Sequence, residues 1–236
     1  GMMATYPARK NSLLQMLPTV LCQLDQLYIY CNQYTQKDLM ELNHWLMNHK
    51  NGCVTKLVDA KYTEGNVQDM GKFWALSNQE GYIFLLDDDL MYPKDYCKRH
   101  IQAIQLHQGI STVHGRVVQN YPLRDYFKDT KSFHYRQAVK KYIQVDIPCT
   151  GTTAFRLSDI KGSIYADTNA MVKYKGMGDI WFACQAKFSG TNIFTLPRQY
   201  KWLTDIPQSN SSSLYHKHKN DTSEHCRILN QLSWST

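Results

Sequence analysis

The stretch Tyr82-Ile83-Phe84-Leu85-Leu86-Asp87-Asp88-Asp89-Leu90-Met91-Tyr92-Pro93 decides how this chain is read. Its continuous apolar run has the character of a central parallel strand covered on both faces, not of a half-exposed strand with alternating polarity. The run feeds directly into three aspartates, and in open α/β sheets ligands bind at the carboxyl ends of the strands. Three adjacent carboxylates repel one another, so the cluster is either exposed to water or neutralised by a cation. Hard oxygen ligands of this kind suit Mg²⁺ or Mn²⁺ held jointly by protein and diphosphate. The competing reading is a solvated acidic turn that caps the next helix; the position directly after a buried strand favours the metal reading.

Upstream of this strand, β and α signals alternate. Residues 2–6, 27–31 and 54–58 read as strands. Asn11 or Ser12 caps a first helix whose Leu13, Leu14, Leu17, Leu21 and Leu24 recur at helical spacing, with Pro18 as a point of kinking. Thr35 and Asp38 form a capping pair for a second helix with Leu39, Leu42 and Leu46 on one face. Residues 71–78 read as helical. Downstream, Pro93 opens a helix running to about His107, and residues 111–118 read as one strand. Residues 120–141 lack a period and read as a loop insertion with a short helix, or as a surface arm. Strands at 142–147, 152–156 and 192–196 and a helix at 179–188 follow, and 205–213, with its three consecutive serines, reads as mobile. Asp221 and Glu224 pair to cap a closing helix with Ile228, Leu229 and Leu232 on one face. The pattern predicts a Rossmann-type α/β sandwich on a mostly parallel central sheet, one domain over residues 1–236.

The 236 residues, 43% hydrophobic and 20% charged, suffice for one such core. Seven cysteines, an odd and scattered set without a CxxC pair, read as reduced thiols of a cytosolic protein. The early apolar run at 13–24 is broken by Gln15, Pro18 and Gln23, so it reads as neither signal peptide nor membrane span. A formal charge of +7 suits anionic partners, but the basic residues are spread out. Mild clusters at 128–141 and 216–219 fall short of a nucleic-acid-binding tract, so no nucleic-acid partner is expected.

Several segments, taken in order, resemble glycosyltransferases of the GT-A fold, family-2 type. Asp87-Asp88-Asp89 is similar to their DxD motif. Met3-Ala-Thr-Tyr-Pro-Ala-Arg9 resembles the opening strand and loop that clasp the nucleotide base, which implies donor contacts from Thr5, Tyr6, Pro7 and Arg9. Asn32 and Asp59 follow the second and third strands, where the family holds base and ribose, and Gly71-Lys72 precedes the DxD strand, where members contact the donor. Gly151-Thr-Thr-Ala-Phe155 resembles the lining of the donor-sugar pocket, placing Gly151 and Thr152 there. Gly176-Met-Gly-Asp-Ile-Trp-Phe-Ala183 resembles the element that presents the catalytic carboxylate, here Asp179. The resemblance spans about residues 3 to 225. It implies that Asp89 ligates the metal and that Asp87 or Asp88 holds ribose or a metal-bound water, with Asp87 also a candidate ligand. The segment 214–221 resembles a C-terminal stretch from which some such enzymes supply a histidine to the metal. His216 is the first candidate and His218 the second, with Lys217 and Lys219 able to neutralise the diphosphate. Residues 1–115 would then form the nucleotide-sugar-binding half and 116–236 the acceptor-binding and catalytic half.

The implied chemistry is coherent. A leaving diphosphate gathers negative charge that a divalent cation and basic side chains stabilise. Asp179 is placed to take the proton of the attacking hydroxyl; its alternative role is to cap the helix that follows. His114 and Arg116 could face donor or acceptor, although a buried, hydrogen-bonded histidine is the commoner case, and Trp181 and Trp202 read better as core than as sugar platforms. Arg198-Gln-Tyr-Lys-Trp202 departs from the QxxRW motif of processive members, which argues for single-sugar transfer. The resemblance thus implies a metal-dependent, inverting glycosyltransferase using Mn²⁺ or Mg²⁺ and a UDP- or GDP-linked donor. The expected acceptor is a saccharide or lipid-linked saccharide of cell-surface glycan assembly, in the cytoplasm or at the inner membrane face, where positive charge aids docking. Two alternatives are a non-catalytic carbohydrate-binding protein of the same fold and a sugar-nucleotide pyrophosphorylase. The second ordinarily opens with a glycine-rich phosphate loop, where this chain has Ala4-Thr-Tyr-Pro-Ala8.

Overall fold

Residues 83–86 pack both faces of their strand: Ile83 and Leu85 join one apolar cluster, Phe84 and Leu86 another, and none is more than 5% exposed. Fully burying each such side chain is worth about 1.5–3 kcal/mol, so this strand anchors the fold. The computed structural model describes residues 1–49, 51–160, 166–207 and 221–232. Its elements are β1 (Met2–Thr5), α1 (Lys10–Leu21), β2 (Gln26–Cys31), α2 (Gln36–His49), β3 (Val54–Asp59), β4 (Tyr82–Leu86), β5 (Leu90–Met91), α3 (Tyr96–His107), β6 (Ile110–Thr112), β7 (Gly115–Val118), β8 (Thr130–Phe133), β9 (Ile143–Val145), β10 (Ile147–Pro148), β11 (Thr152–Arg156), α4 (Thr168–Lys173), α5 (Gly178–Phe188), β12 (Ile193–Thr195) and β13 (Thr204–Asp205), with a closing helix at Ser223–Leu229.

An eight-stranded sheet runs in the order β3-β2-β1-β4-β11-β6-β12-β9. The first four strands are parallel, as βα alternation requires, and β12 lies parallel to β6. β11 enters antiparallel between β4 and β6, and β9 closes the edge antiparallel to β12. The sheet is therefore mostly parallel, with the antiparallel pairs confined to one side. Because Thr152 pairs with Leu86, the residues leading into β11 lie beside the three aspartates. Two small sheets, β10-β7-β8 and β13-β5, stand outside the main one. Helices α1, α2 and α3 pack their apolar residues into the cluster of Phe84 and Leu86, while α5 and the segment around Phe73 cover the opposite face, where Trp181 meets Phe73 edge-on at 4.7 Å.

Several local expectations need correction. α1 starts at Lys10 after a 3-10 turn, Pro7–Arg9, so neither Asn11 nor Ser12 is its cap; Ser12 is buried and donates to the Arg9 carbonyl at 2.8 Å. The helix also runs on through Pro18 to Leu21. The Thr35–Asp38 capping box does form, each residue accepting the other's backbone N–H. Residues 71–78 form no α-helix but two 3-10 segments, Gln68–Phe73 and Leu76–Asn78, with Gly71 pressed so closely on the Tyr30 ring that a Cβ would overlap it. α3 begins three residues after Pro93, and the stretch 111–118 is divided between two sheets as β6 and β7. Residues 120–141 contribute β8 and no helix, and 142–147 holds parts of two strands. Thr222, not Asp221, occupies the capping position of the closing helix; Asp221 accepts from Ser223 N, and Glu224 pairs with Arg227. Within the same helix, Ile228 and Leu229 are buried as expected. All seven cysteines are free, and among the described residues no helix is long and apolar enough to cross a membrane. Residues 208–220, which include His216, His218, Lys217, Lys219 and most of the serine-rich stretch, lie outside the described residues.

Candidate functional site

β1 and β4 are parallel neighbours, so their carboxyl ends emerge together. Thr5 closes β1 and donates its hydroxyl to Asp88 Oδ2 at 2.7 Å. The 3-10 turn begun by Pro7 then aims Arg9 back at the acids, where its guanidinium binds Asp89 and lies 3.8 Å from Asp88 Oδ1. From the other side Lys72, only 4% exposed, donates to Asp87 Oδ1 at 2.7 Å. Gly151 backs Asp87 so closely that a Cβ would overlap the carboxylate. The Tyr92 hydroxyl ties the two together, accepting from Asp87 N at 2.8 Å and donating to the Gly151 carbonyl at 2.7 Å.

Asp179 approaches from the first turn of α5, whose capping position is taken by Met177; it is therefore not the cap of its helix. Instead its Oδ1 accepts from both the backbone N–H and the hydroxyl of Thr150, at 2.7 and 2.6 Å. Asp69 secures the loop before α5 by accepting from Gly176 N and Gly178 N at 2.8 and 2.7 Å. Asn32 binds the Thr5 carbonyl and both backbone groups of Gln68, fastening the end of β1 to the 3-10 segment that carries Lys72.

These side chains line a cleft of about 450 Å³. Five aspartates (69, 87, 88, 89 and 179) face it against two cations, Arg9 and Lys72. Burial, reinforced by Asp89, pushes the Asp88 carboxyl up to about 7, and burial raises Asp69 to about 6. Asp89 is raised by burial and by Asp87; Asp179 is raised by burial, against the opposing pull of Thr150. Burial alone would lower Arg9 and Lys72, but the acids outweigh it and hold both firmly protonated. Among the described residues no three His, Cys, Asp or Glu side chains form a ready metal cage, since Arg9 and Lys72 each engage one of the acids. The residues nonetheless fit a divalent cation: the donors are hard oxygens, the cleft holds more acids than cations, and burial together with the neighbouring acids pushes its carboxyls toward protonation, which a bound cation would oppose.

Of the residues singled out in the sequence, Thr5, Tyr6, Arg9, Asn32, Lys72, Asp87, Asp88, Asp89 and Asp179 line this cleft. Pro7, Asp59, Gly151 and Thr152 do not. Pro7 shapes the turn, and Gly151 acts as the backing of Asp87. Asp59 binds Lys61 N and Gln36 Nε2, while Thr152 is buried with its hydroxyl engaged by Cys149 O and His114 N. Asp69, Thr150 and Gln68 also belong to the cleft and carried no signal in the sequence: their partners are backbone groups or residues far along the chain. A second cavity of about 370 Å³ shares Asp69 and Asp179 with the first and extends toward His114, Arg116 and His134. Another cleft, at Tyr82 and Arg156 on the far end of β4, has no comparable gathering of acids.

No protein-family profile and no curated protein matches the sequence. Solved structures do match the fold. The crystal structure of S. aureus TarS aligns with a TM-score of 0.52 at 16% identity, over 84% of this chain and 35% of that one. The mannosyltransferase PcManGT from Pyrobaculum calidifontis, solved in complex with GDP-Man and Mn²⁺, aligns with a TM-score of 0.53 at 14% identity, over 96% of this chain and 67% of that one. This chain thus spans only about a third of TarS. At such identities the likeness bears on architecture, and the architecture is the GT-A-like α/β fold of glycosyltransferases.

Proposed function

We propose that this protein is an inverting, metal-dependent glycosyltransferase of family-2 type that moves one sugar from a UDP- or GDP-linked donor to an acceptor hydroxyl. The observation that carries this reading is the convergence of Asp87, Asp88 and Asp89 on a cation-deficient cleft beside a carboxylate, Asp179, held through one oxygen by Thr150. The mannosyltransferase of like fold, with its nucleotide sugar and Mn²⁺, supports it by analogy.

In this reading Thr5, Tyr6 and Asn32 border the nucleoside, and the first half of the chain supplies the donor site. Asp89 and Asp87 would hold Mn²⁺ or Mg²⁺, and the cation when bound would stabilise the charge on the departing diphosphate. Lys72, fixed by Asp87, adds positive charge on the same side. Asp179 accepts the acceptor's proton on Oδ2 as the new C–O bond forms and the anomeric C–O bond to the diphosphate breaks, the electron pair leaving with the diphosphate. Burial raises Asp179 and so makes it a stronger base, while the two bonds from Thr150 pull the other way, toward the ionised form. The acceptor half, residues 116–236, is assigned a saccharide or lipid-linked saccharide of the cell surface. The positive net charge would favour docking at the cytoplasmic membrane face.

The test is calorimetric titration of UDP and GDP, with and without Mn²⁺, into the wild type and Asp89→Ala. Metal-dependent binding of one nucleotide that disappears in the variant is the expected result. Absence of binding to either nucleotide would overturn the reading in favour of a carbohydrate-binding protein without a donor.

A further inference from the structure

We propose that the acceptor carries an anionic group, a phosphate or a carboxylate, and that Arg116 receives it in the cavity that adjoins Asp179. The inference rests on the transferase reading above and names its acceptor class.

The cavity of about 370 Å³ has Asp179 at one side and Arg116, from β7, within its lining. The Arg116 guanidinium lies 4.9 Å from the centre of the Tyr126 ring and 5.0 Å from that of Phe127. It donates through Nη1 to Thr130 Oγ1 at 2.8 Å, which fixes its orientation. Among the described residues no carboxylate comes within ion-pairing distance of it. Of the other arginines, Arg124 and Arg156 are exposed to water, Arg99 binds the Pro197 carbonyl, and the remaining four are satisfied. Arg9 is bound to Asp89, Arg136 to Asp205 and Arg227 to Glu224, while buried Arg198 is engaged by the backbone carbonyls of Phe133, His134, Tyr135 and Leu196. Arg116 thus presents a fixed, planar set of N–H donors beside two aromatic rings, the arrangement that binds an oxyanion through two parallel hydrogen bonds.

Among the described residues, Arg116 is the one arginine or lysine in the lining of this cavity, which it shares with two acids, Asp69 and Asp179. His114 and His134 stand 4.8 Å apart between ring centres. Burial lowers both toward the neutral form, His114 to about 3, with nearby cations adding to the effect. The two acids have fixed partners of their own: both oxygens of Asp69 accept backbone N–H groups, and Asp179 is held by Thr150. An anionic acceptor would pair the partly buried guanidinium while its hydroxyl faces Asp179; a neutral one would leave the cation without a counter-charge.

The test uses the whole chain labelled at histidine and follows the His114 and His134 resonances by NMR. Glucose 6-phosphate, glucuronate and glucose are added in turn, each with Mg²⁺ and with UDP or GDP filling the donor site. At least one charged sugar is expected to shift both resonances at a concentration about tenfold or more below that needed for glucose. The phosphate and carboxylate arms identify which anion the site prefers. Arg116→Gln is expected to abolish the preference while nucleotide affinity stays unchanged, and Arg116→Lys, which keeps the charge, to retain part of it. Equal response to glucose and to both charged sugars would overturn the proposal, as would a preference that survives in Arg116→Gln or no response to any sugar. Because nucleotide affinity is measured separately, loss of the donor reading and loss of the anionic-acceptor reading give different results.

Discussion

Thr150 holds Asp179 by one oxygen only: its backbone N–H and its hydroxyl both donate to Oδ1, and Oδ2 carries no hydrogen bond among the described residues. If Asp179 is the base of the proposed transfer, this grip keeps one oxygen for the incoming proton. Asp179→Asn should therefore lower transfer by about 10²–10⁴ with nucleotide binding intact. Thr150→Val removes the hydroxyl but keeps the backbone bond. Losing a bond to the ionised form raises the Asp179 pKa, so the acid limb of the pH–rate profile should move to higher pH. An acid limb that stays in place would mean that Asp179 is not the titrating base.

Gly151→Ala tests the backing of Asp87. The new methyl cannot coexist with the carboxylate, which must swing out and leave Lys72. Metal-dependent nucleotide binding, read by calorimetry, should be lost or weakened by about tenfold or more, since a displaced carboxylate can serve neither cation. An alanine variant with wild-type affinity would show that Asp87 is free to take another position.

Lys72 and Asp87 should behave as a coupled pair. The lysine side chain is 3% exposed and the aspartate 36%, so Lys72→Met strands a carboxylate that water reaches only in part. The expected cost, from urea or thermal unfolding, is about 1–3 kcal/mol, below the full penalty for a wholly buried pair. Adding Asp87→Asn to Lys72→Met should recover part of that loss; strictly additive costs would dissociate the two residues.

His100 should make the fold sensitive to acid. Its ring is fully buried against Tyr96 and Phe84, neither nitrogen has a hydrogen-bond partner, and burial, followed by the charge of Arg99, lowers it from 6.5 to about 3. Below 6.5 the unfolded chain takes up a proton that the folded chain refuses, so stability present at neutral pH is lost as pH falls. The slope is about 1.4 kcal/mol per pH unit for each such group between pH 6.5 and 3. His114 behaves alike. His100→Phe should thus halve the slope contributed by this pair, measured as melting temperature against pH, and should raise stability by removing two unsatisfied nitrogens.

The sequence exposed the parts of the fold that depend on local pattern. The apolar run at 82–86, the Thr35–Asp38 capping box and the leucines of α1 carry their structure in adjacent residues. The acidic end of β4 was legible for the same reason. The stretch 71–78 reads as helical yet folds as 3-10 turns, and the tight contact between Gly71 and Tyr30 that accompanies them is tertiary. The stretch 111–118 looked continuous because apolar character does not record a change of sheet at Val113 and His114. Asp69 and Thr150 escaped notice because each acts through hydrogen bonds to residues distant in sequence, with no spacing rule to betray them.

The antiparallel entry of β11 also governs the order in which the molecule can be completed during synthesis. β6 emerges before either of its neighbours, β11 and β12, and β4 has one edge open until residues 152–156 arrive. A nascent chain that ends near residue 115 therefore holds the three aspartates but not the strand that seals the sheet, and it lacks the Thr150 and Gly151 that position Asp179 and Asp87. The segment that closes the open edge of β4 is thus also the one that backs Asp87 and grips Asp179. Truncated products should be aggregation-prone and inert rather than partly active.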